Sequence, residues 1–279
     1  MLNDEHFKVV WYNSNSSEVF PNVDIKGGVT VTLRNTNIKF GKIGIFAKHK
    51  EVSTIINKVI ATEFISLKNI VYAPESYRLS KLFHSEKPEI SNLLSKGHLY
   101  DLTTNIFDKL SNYLYDEKPS DNNKYIQIYG RINNERTFKW ILRKYVDPHE
   151  NLDKYKVILP KSNGSGSFGE ALTMPIVGLA GQGHTQTFIS IGKFNTLEEA
   201  EACLKYIKTK LARLLLSSLK VTQDNKKETW SNVPLQDFTS TSDIDWSQSI
   251  SDIDRQLYAK YGLSDEEIAF IEKMIKPME

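Results

Sequence analysis

The chain has 279 residues, of which 40% are hydrophobic and 25% are charged, and its formal net charge is +2. These ordinary values indicate a globular protein, and a single cysteine, Cys203, excludes an internal disulfide. No stretch approaches the roughly 20 apolar residues that span a bilayer, and the amino terminus lacks the apolar core of a signal peptide. We expect a cytoplasmic protein that makes no membrane contact, with Cys203 in its core.

Strands come first along the chain, as runs rich in β-branched and aromatic residues. The predicted strands are Lys8–Tyr12, Gly28–Arg34, Lys42–Ala47, Tyr125–Arg131, Thr137–Val146, Tyr155–Leu159 and Thr187–Phe194. The turn-rich segment 35–41 predicts that the second and third of these pair as a β-hairpin. Together with the helices below, the strands predict an α/β fold of mixed α+β character.

Two amphipathic helices follow the last strand. One long helix is predicted over 197–219, with Thr196 as its cap and Glu199 three residues further on. The other is predicted over 264–275, where Ser264 and Glu267 have the spacing of a capping box. This last helix belongs to an acidic segment, which we expect to be a solvated or partner-facing tail.

Positive charge is concentrated in the middle of the chain. From Lys124 to Lys161 there are nine basic and four acidic residues, and from Lys205 to Lys227 there are seven basic and one acidic. Such a distribution is typical of a polyanion-binding body, whereas the alternative is that these lysines only solvate helix and strand faces. The candidate DNA-binding residues are Arg131, Asn133, Asn134, Arg136, Lys139, Arg143, Lys161, Asn163, Lys226 and Lys227.

These residue types suit DNA recognition. Arginine can donate two hydrogen bonds to guanine O6 and N7, asparagine can pair with adenine N6 and N7, and lysine holds phosphates. Alternation along 137–146 places Phe138, Trp140 and Leu142 on one face, which we expect to be core. Lys139 and Arg143 lie on the opposite face, which the pattern predicts to be exposed and functional.

A glycine-rich segment, Gly164 to Gly169, matches the G-x-G-x-x-G pattern of dinucleotide-binding loops. Its context contradicts that function, because four residues separate it from the preceding strand and Pro175 arrives before a helix could complete. We expect an exposed loop whose N–H groups approach DNA phosphates together with Lys161 and Asn163. His184 lies in a loop and is predicted to be a surface residue rather than a catalytic base.

A nuclease is the alternative function. Asp24 and Lys26, with Glu18 upstream, loosely match the D/E-x-K arrangement in which carboxylates hold Mg²⁺ and a lysine activates water. A three-residue pattern of this kind arises often by chance. The structural interpretation is that the same segment leads into a strand, with Gly27 and Gly28 supplying a bend. The six histidines show no metal-ligand spacing, so no metal is predicted otherwise.

Three segments carry a resemblance to a known family. The sequences FPNVDIKGGVTVTL at 20–33, VPLQDF at 233–238 and YGLSDEEIAFIEKMIKPM at 261–278 resemble the carboxyl-terminal third of Eco57I-like type II restriction-modification enzymes. Members of this family are N6-adenine-specific DNA methyltransferases that join a Rossmann-like catalytic domain, which binds S-adenosylmethionine, to a target-recognition domain. This chain lacks the family's N-P-P-[FY] motif and its glycine-rich cofactor motif.

The resemblance implies a division of the chain. Residues 1–72 correspond to the last strands of the methyltransferase sheet, 73–240 to the DNA target-recognition domain, and 241–279 to an acidic helical tail. It also implies double-stranded DNA as the partner and a methyltransferase domain or subunit as a second one. We expect a non-catalytic part, subunit or truncated product of such an enzyme, with no cofactor of its own and S-adenosylmethionine bound elsewhere.

Overall fold

The computed structural model describes residues 1, 3–13, 15–22, 28–43, 49–62, 64–162, 168–170, 172–220 and 222–278. Within them the chain is a mixed α/β fold. Its strands are β1 (Phe7–Asn13), β2 (Val29–Arg34), β3 (Val71–Tyr72), β4 (Tyr125–Ile132), β5 (Glu135–Leu142), β6 (Tyr155–Pro160), β7 (Ile176–Gly178), β8 (Gln182–His184) and β9 (Phe188–Phe194). Its α-helices are α1 (Lys50–Ala61), α2 (Lys81–Glu86), α3 (Ile106–Lys109), α4 (Leu197–Lys208), α5 (Lys210–Ser217), α6 (Ile250–Lys260) and α7 (Asp265–Met274).

The strands form three sheets, with the orders β1-β2, β3-β9-β6-β7 and β5-β4-β8. In the first sheet, β2 pairs antiparallel with β1, whereas the predicted hairpin joined 28–34 to 42–47. Residues 42 and 43 are not in a strand, and 44–47 lie outside the described residues. The pairing of β1 with β2 brings Trp11 opposite Val31, and both side chains are exposed.

The four-stranded sheet and most of the helices enclose the larger core. Strands β6 and β9 are apolar on both faces because α4 packs against one side of the sheet. This core also takes in Ile253 and Leu257 of α6 and Ile271 of α7, so the helices of the acidic segment are packed rather than merely solvated. Cys203 is fully buried in it, as predicted, and burial raises the pKa of its thiol.

The predicted long helix is two helices. The chain leaves helical geometry at Thr209, where ψ is 151°, and its Oγ1 accepts a hydrogen bond from Ala212 N at 3.2 Å to cap α5. Asp254 of α6 caps the same end by accepting hydrogen bonds from the N–H groups of Lys210 and Leu211. The Thr196 cap of α4 and the capping box of Ser264 and Glu267 on α7 are both confirmed.

The three-stranded sheet belongs to a second core, made of residues between Tyr77 and Leu152. The predicted division at residues 72 and 240 stays a prediction. Gly130 is required where β4 crosses α3, since a Cβ there would lie 2.5 Å from Cζ of Phe107. Across the described ranges, no helix has both the length and the apolar character that a membrane crossing requires.

Candidate nucleic-acid interface

Strands β4 and β5 form a β-hairpin whose two-residue turn is Asn133–Asn134. Both turn residues have a positive φ, 48° and 67°, as the type I′ turn of a right-twisted hairpin requires. Asparagine tolerates this left-handed backbone better than other side-chain-bearing residues. The two amides predicted to read bases therefore also build the turn, and both are exposed at its tip.

Arg131 and Arg136 lie directly opposite each other across this hairpin, so both guanidinium groups are on one face. Like charges in that position destabilise a strand pair. The described residues place no carboxylate within salt-bridge distance of either guanidinium. Instead, Arg131 donates from Nη2 to Oδ1 of Asn134 at 2.9 Å, and Arg136 donates from Nη1 to the carbonyl oxygen of Met174 at 3.2 Å. Within the described ranges, this opposed pair of arginines therefore has neutral oxygen acceptors and no carboxylate partner.

The prediction for the faces of β5 is right in part, because Phe138 packs against a small cluster of buried residues, but the opposite face is buried as well. Ile141 shares a face with Lys139, and it is fully buried in the second core, whereas Phe138 and Trp140 on the other face are only half-buried. Strand alternation itself is as expected, but β5 carries large apolar side chains on both faces. Lys139 is consequently 12% exposed rather than free in solvent.

Lys139 and Arg143 are also neutralised within the chain. Lys139 forms an ion pair with Asp116. Arg143 lies beyond the end of β5 and makes two hydrogen bonds to the carboxylate of Asp153, at 2.9 and 2.7 Å. The basic face that the sequence favoured is therefore the compensated one, and the uncompensated charge lies on the opposite face of the hairpin.

That face borders a groove of about 340 Å³, here called the arginine groove. Its lining residues are Thr104, Arg131, Asn134, Arg136, Pro160, Lys161, Ser162, Thr187 and Phe188. Lys161 follows β6, and its side chain is exposed. The guanidinium carbon of Arg136 lies 5.9 Å from the centroid of the buried Phe188 ring, so an aromatic floor supports it. Among the described residues, three cationic side chains and no carboxylate line this groove.

A second groove, of about 410 Å³, adjoins the first at Lys161 and is here called the lysine groove. Its lining includes Lys226 and Lys227, which are exposed. Together with Lys161, these are the lysines outside the hairpin that were predicted to bind DNA. Its charge is mixed, since Glu75, Asp224 and Glu228 also line it, and the carboxylate of Asp224 lies 3.6 Å from Nζ of Lys226.

The glycine-rich loop is only partly described. Asn163 and residues 164–167 lie outside the described residues, so their predicted approach to phosphates stays a prediction. The end of the segment is fixed, because Phe168 packs against the larger core. Gly169 has a φ of 75°, and a Cβ there would lie 2.6 Å from the carbonyl oxygen of Met274.

Buried polar groups lie behind the hairpin, where β8 meets β4 and β6. His184 lies in β8 and is fully buried, which makes the predicted surface position wrong. Its Nε2 lies 3.2 Å from Oγ of Ser190, and that hydroxyl also accepts from Nδ2 of Asn151 at 3.1 Å. Burial lowers the pKa of His184 to about 3, so it is a neutral packing residue at ordinary pH.

Lys156 is the second buried group, and sequence reasoning counted it as available positive charge. Its Nζ donates to the carbonyl oxygens of Gln182, Leu152 and Leu179 at 2.7, 3.2 and 3.3 Å. Burial lowers its pKa to about 7. The signal for this burial is that Lys156 lies in a strand that is apolar on both sides. It ties β8, and with it the hairpin, to the larger sheet.

Of the three residues of the nuclease alternative, Glu18 alone lies within the described ranges. Glu18 is exposed and accepts hydrogen bonds from the amides of Asn13 and Asn15, which lower the pKa of its carboxyl. Asp24 and Lys26 lie outside the described residues. Among the residues that are described, no three His, Cys, Asp or Glu side chains are arranged to hold a metal ion.

In comparisons with known proteins, no family model matches this chain and no curated protein does either. The arrangement defines a cationic, aromatic-floored groove at the side of a β-hairpin.

Proposed function

We propose that this chain binds double-stranded DNA sequence-specifically, as the target-recognition portion of a type II restriction-modification enzyme. The observation that supports this most is the arginine groove, where Arg131, Arg136 and Lys161 come together and no carboxylate of the described ranges lines the groove with them. Charge that the fold does not neutralise is stabilised by phosphates, which supply most of the affinity of a protein for DNA. The grooves together form a tract in which phosphate contacts can set the position of the duplex.

The hairpin supports the second half of the proposal. A two-stranded β-ribbon fits the major groove of B-form DNA, where each base pair presents a distinct pattern of donors and acceptors. The exposed tip at Asn133–Asn134, flanked by Arg131, brings groups that can read such a pattern next to groups that hold phosphates. Phosphate contacts position the hairpin and the tip contacts base edges.

The family resemblance extends this to a larger enzyme. In it, residues 1–72 contribute late strands to a Rossmann-like methyltransferase sheet, and 73–240 form the recognition domain. A catalytic domain or subunit binds S-adenosylmethionine and takes the target adenine out of the duplex, as enzymes that modify bases do. The role of this chain is to fix the sequence register while methyl transfer occurs elsewhere.

Titration of random duplex DNA, followed by fluorescence anisotropy at several salt concentrations with Mg²⁺ present, tests the proposal. Binding that weakens steeply with salt is expected, and Arg136→Ala should weaken it, whereas Arg143→Ala, a compensated arginine, should not. Absence of binding at low salt would contradict DNA binding. The end products should be run on a gel, since cleavage that EDTA and Lys26→Ala abolish would establish the nuclease instead.

A further inference from the structure

The two arginines of the hairpin are held by neutral acceptors. Asn134 accepts from Nη2 of Arg131 through its side-chain oxygen, and main-chain carbonyls of residues 173 and 174 accept from Nη1 of Arg136. A neutral acceptor fixes the direction of a guanidinium without cancelling its charge, in contrast to the carboxylate that holds Arg143. Arginine has five N–H donors, so Arg131 keeps most of them for a ligand.

Fixed direction matters for one kind of ligand more than for another. A phosphate presents oxygens in many directions, so a flexible lysine can also bind it, as a point charge. The major-groove edge of guanine presents two acceptors, O6 and N7, in one plane, and a bidentate arginine must lie in that plane to reach both. A braced arginine beside the turn of a ribbon therefore suits a base edge, whereas Arg136, directly across the ribbon and 5.9 Å from the Phe188 ring centroid, suits the backbone.

We infer that Arg131, oriented by Asn134, reads the major-groove edge of a guanine in the target sequence, while Arg136 and Lys161 hold phosphates. Asn134 is a positioning residue in this assignment. It acts through Arg131 and needs no contact with the DNA. The inference rests on the proposed DNA-binding function and adds the base that the hairpin recognises.

The turn offers a matched pair of variants that test the brace. Asn134→Gly removes the amide that holds Arg131, and Asn133→Gly removes its neighbour, while glycine accepts the positive φ at either position. Asn134→Asp keeps the acceptor oxygen and adds a negative charge. Asn134→Gly should therefore weaken selection at the guanine that Arg131 contacts. Asn133→Gly, whose own base contacts are at other positions, should leave selection at that guanine unchanged. Asn134→Asp should keep the selection while lowering affinity for all sequences.

The experiment begins with selection of preferred duplexes from a randomised library by the wild-type protein. Dissociation constants are then measured by anisotropy for the selected duplex and for duplexes in which each G·C pair is replaced by A·T. At one G·C position, we expect the replacement to raise the dissociation constant of the wild type about tenfold or more. In Asn134→Gly the same replacement should raise the dissociation constant only about twofold. Arg131→Lys, which keeps the charge and the turn, should lose the same discrimination and provides the test if the glycine variant is unstable.

The outcomes separate the two proposals. If the wild type binds no DNA, the proposed function fails. If it binds, and Asn134→Gly and Asn133→Gly discriminate equally at every G·C position, the guanine assignment is overturned and DNA binding stands. Binding of the wild type without any sequence preference overturns the assignment too. Loss of discrimination at one G·C pair in both Asn134→Gly and Arg131→Lys supports it.

Discussion

The two faces of the β4–β5 hairpin carry similar numbers of basic residues. Those on one face are paired with carboxylates, and those on the other face have no carboxylate partner among the described residues. On the core-facing side, Lys139 is paired with Asp116 and mostly buried, and just beyond the strand Arg143 is held by Asp153. On the groove side, Arg131 and Arg136 lie opposite each other and have no carboxylate partner among the described residues. Basic composition alone does not separate these sets. The groove side, which is the side proposed to bind DNA, is distinguished by cations that have no carboxylate partner among the described residues.

The largest expected effect comes from removing uncompensated charge. Arg136→Ala combined with Lys161→Ala should lower affinity for duplex DNA about 100-fold, because each charge-assisted contact contributes about 1.5 kcal/mol or more. The slope of log affinity against log salt should fall by about two. Anisotropy titrations over a range of salt concentrations measure both quantities.

The matched control for that pair is Lys139→Ala with Arg143→Ala. It removes the same formal charge from the same hairpin region, but from exposed or partly buried ion pairs that contribute little, so affinity should fall by no more than about threefold. Equal losses in the two double variants would mean that net charge, rather than the arginine groove, governs binding.

The comparison requires a rigid hairpin. A substitution at Gly130 tests how firmly the hairpin is packed against α3. Gly130→Ala places a Cβ 2.5 Å from the Phe107 ring, and we expect a loss of about 1–3 kcal/mol in the free energy of unfolding, as for other overpacked cores. Urea denaturation measures the loss.

Phe107→Leu should relieve the same clash. Combined with Gly130→Ala it should cost less than the sum of the two single variants, since the residues share one contact. Additive effects would show that the alanine methyl group is accommodated elsewhere, and the hairpin would then be less firmly held than its packing implies.

The hairpin was partly predictable from the sequence. Both strands and the polar candidates at the turn follow from residue pattern, and Asn133–Asn134 is itself a turn signal. The faces were not predictable, because β5 places Phe138 and Trp140 on one side and Ile141 on the other, so alternation alone could not identify the core.

Tertiary contacts decide the rest of the candidate site. The partners of Lys139 and Arg143 come from other segments, and no local pattern shows that Asp116 reaches Lys139. Lys161 joins the arginine groove because β6 pairs with β9, which places it beside Thr187 and Phe188. The break of the predicted long helix at Thr209 likewise depends on Asp254, which caps α5 from a distant helix.

Lys156 is a cation of a third kind, because it is buried and held by carbonyl oxygens. Its burial should make the stability of the fold depend on pH. In the folded chain the pKa of Lys156 is about 7, below its ordinary value of 10.5. Between these values the unfolded chain binds more protons than the folded one, so the contribution of Lys156 to stability rises with pH, by at most about 1.4 kcal/mol per pH unit.

Lys156→Met removes that dependence. The difference in unfolding free energy between wild type and variant, measured in urea from about pH 7 to about pH 9, should shift in favour of the wild type as the pH rises. Lys154→Met, at a half-buried neighbouring lysine whose Nζ donates to Oδ1 of Asn195, serves as the control and should show no such trend. A flat difference for Lys156→Met would mean that the three carbonyl oxygens keep this ammonium charged in the fold.

The smallest effect is expected from a variant that leaves Arg143 without its carboxylate partner. Asp153→Asn keeps the shape of the side chain and removes the carboxylate that holds Arg143. Affinity for DNA should rise by at most about threefold, because an exposed cation is screened by salt. Glu201→Gln on α4 removes one negative charge away from the hairpin and controls for net charge. A gain specific to Asp153→Asn would show that the DNA passes close to Arg143, so that the binding surface extends around the end of β5. Equal gains would confine it to the grooves, and the carboxylates paired with Lys139 and Arg143 would then serve to stabilise the hairpin.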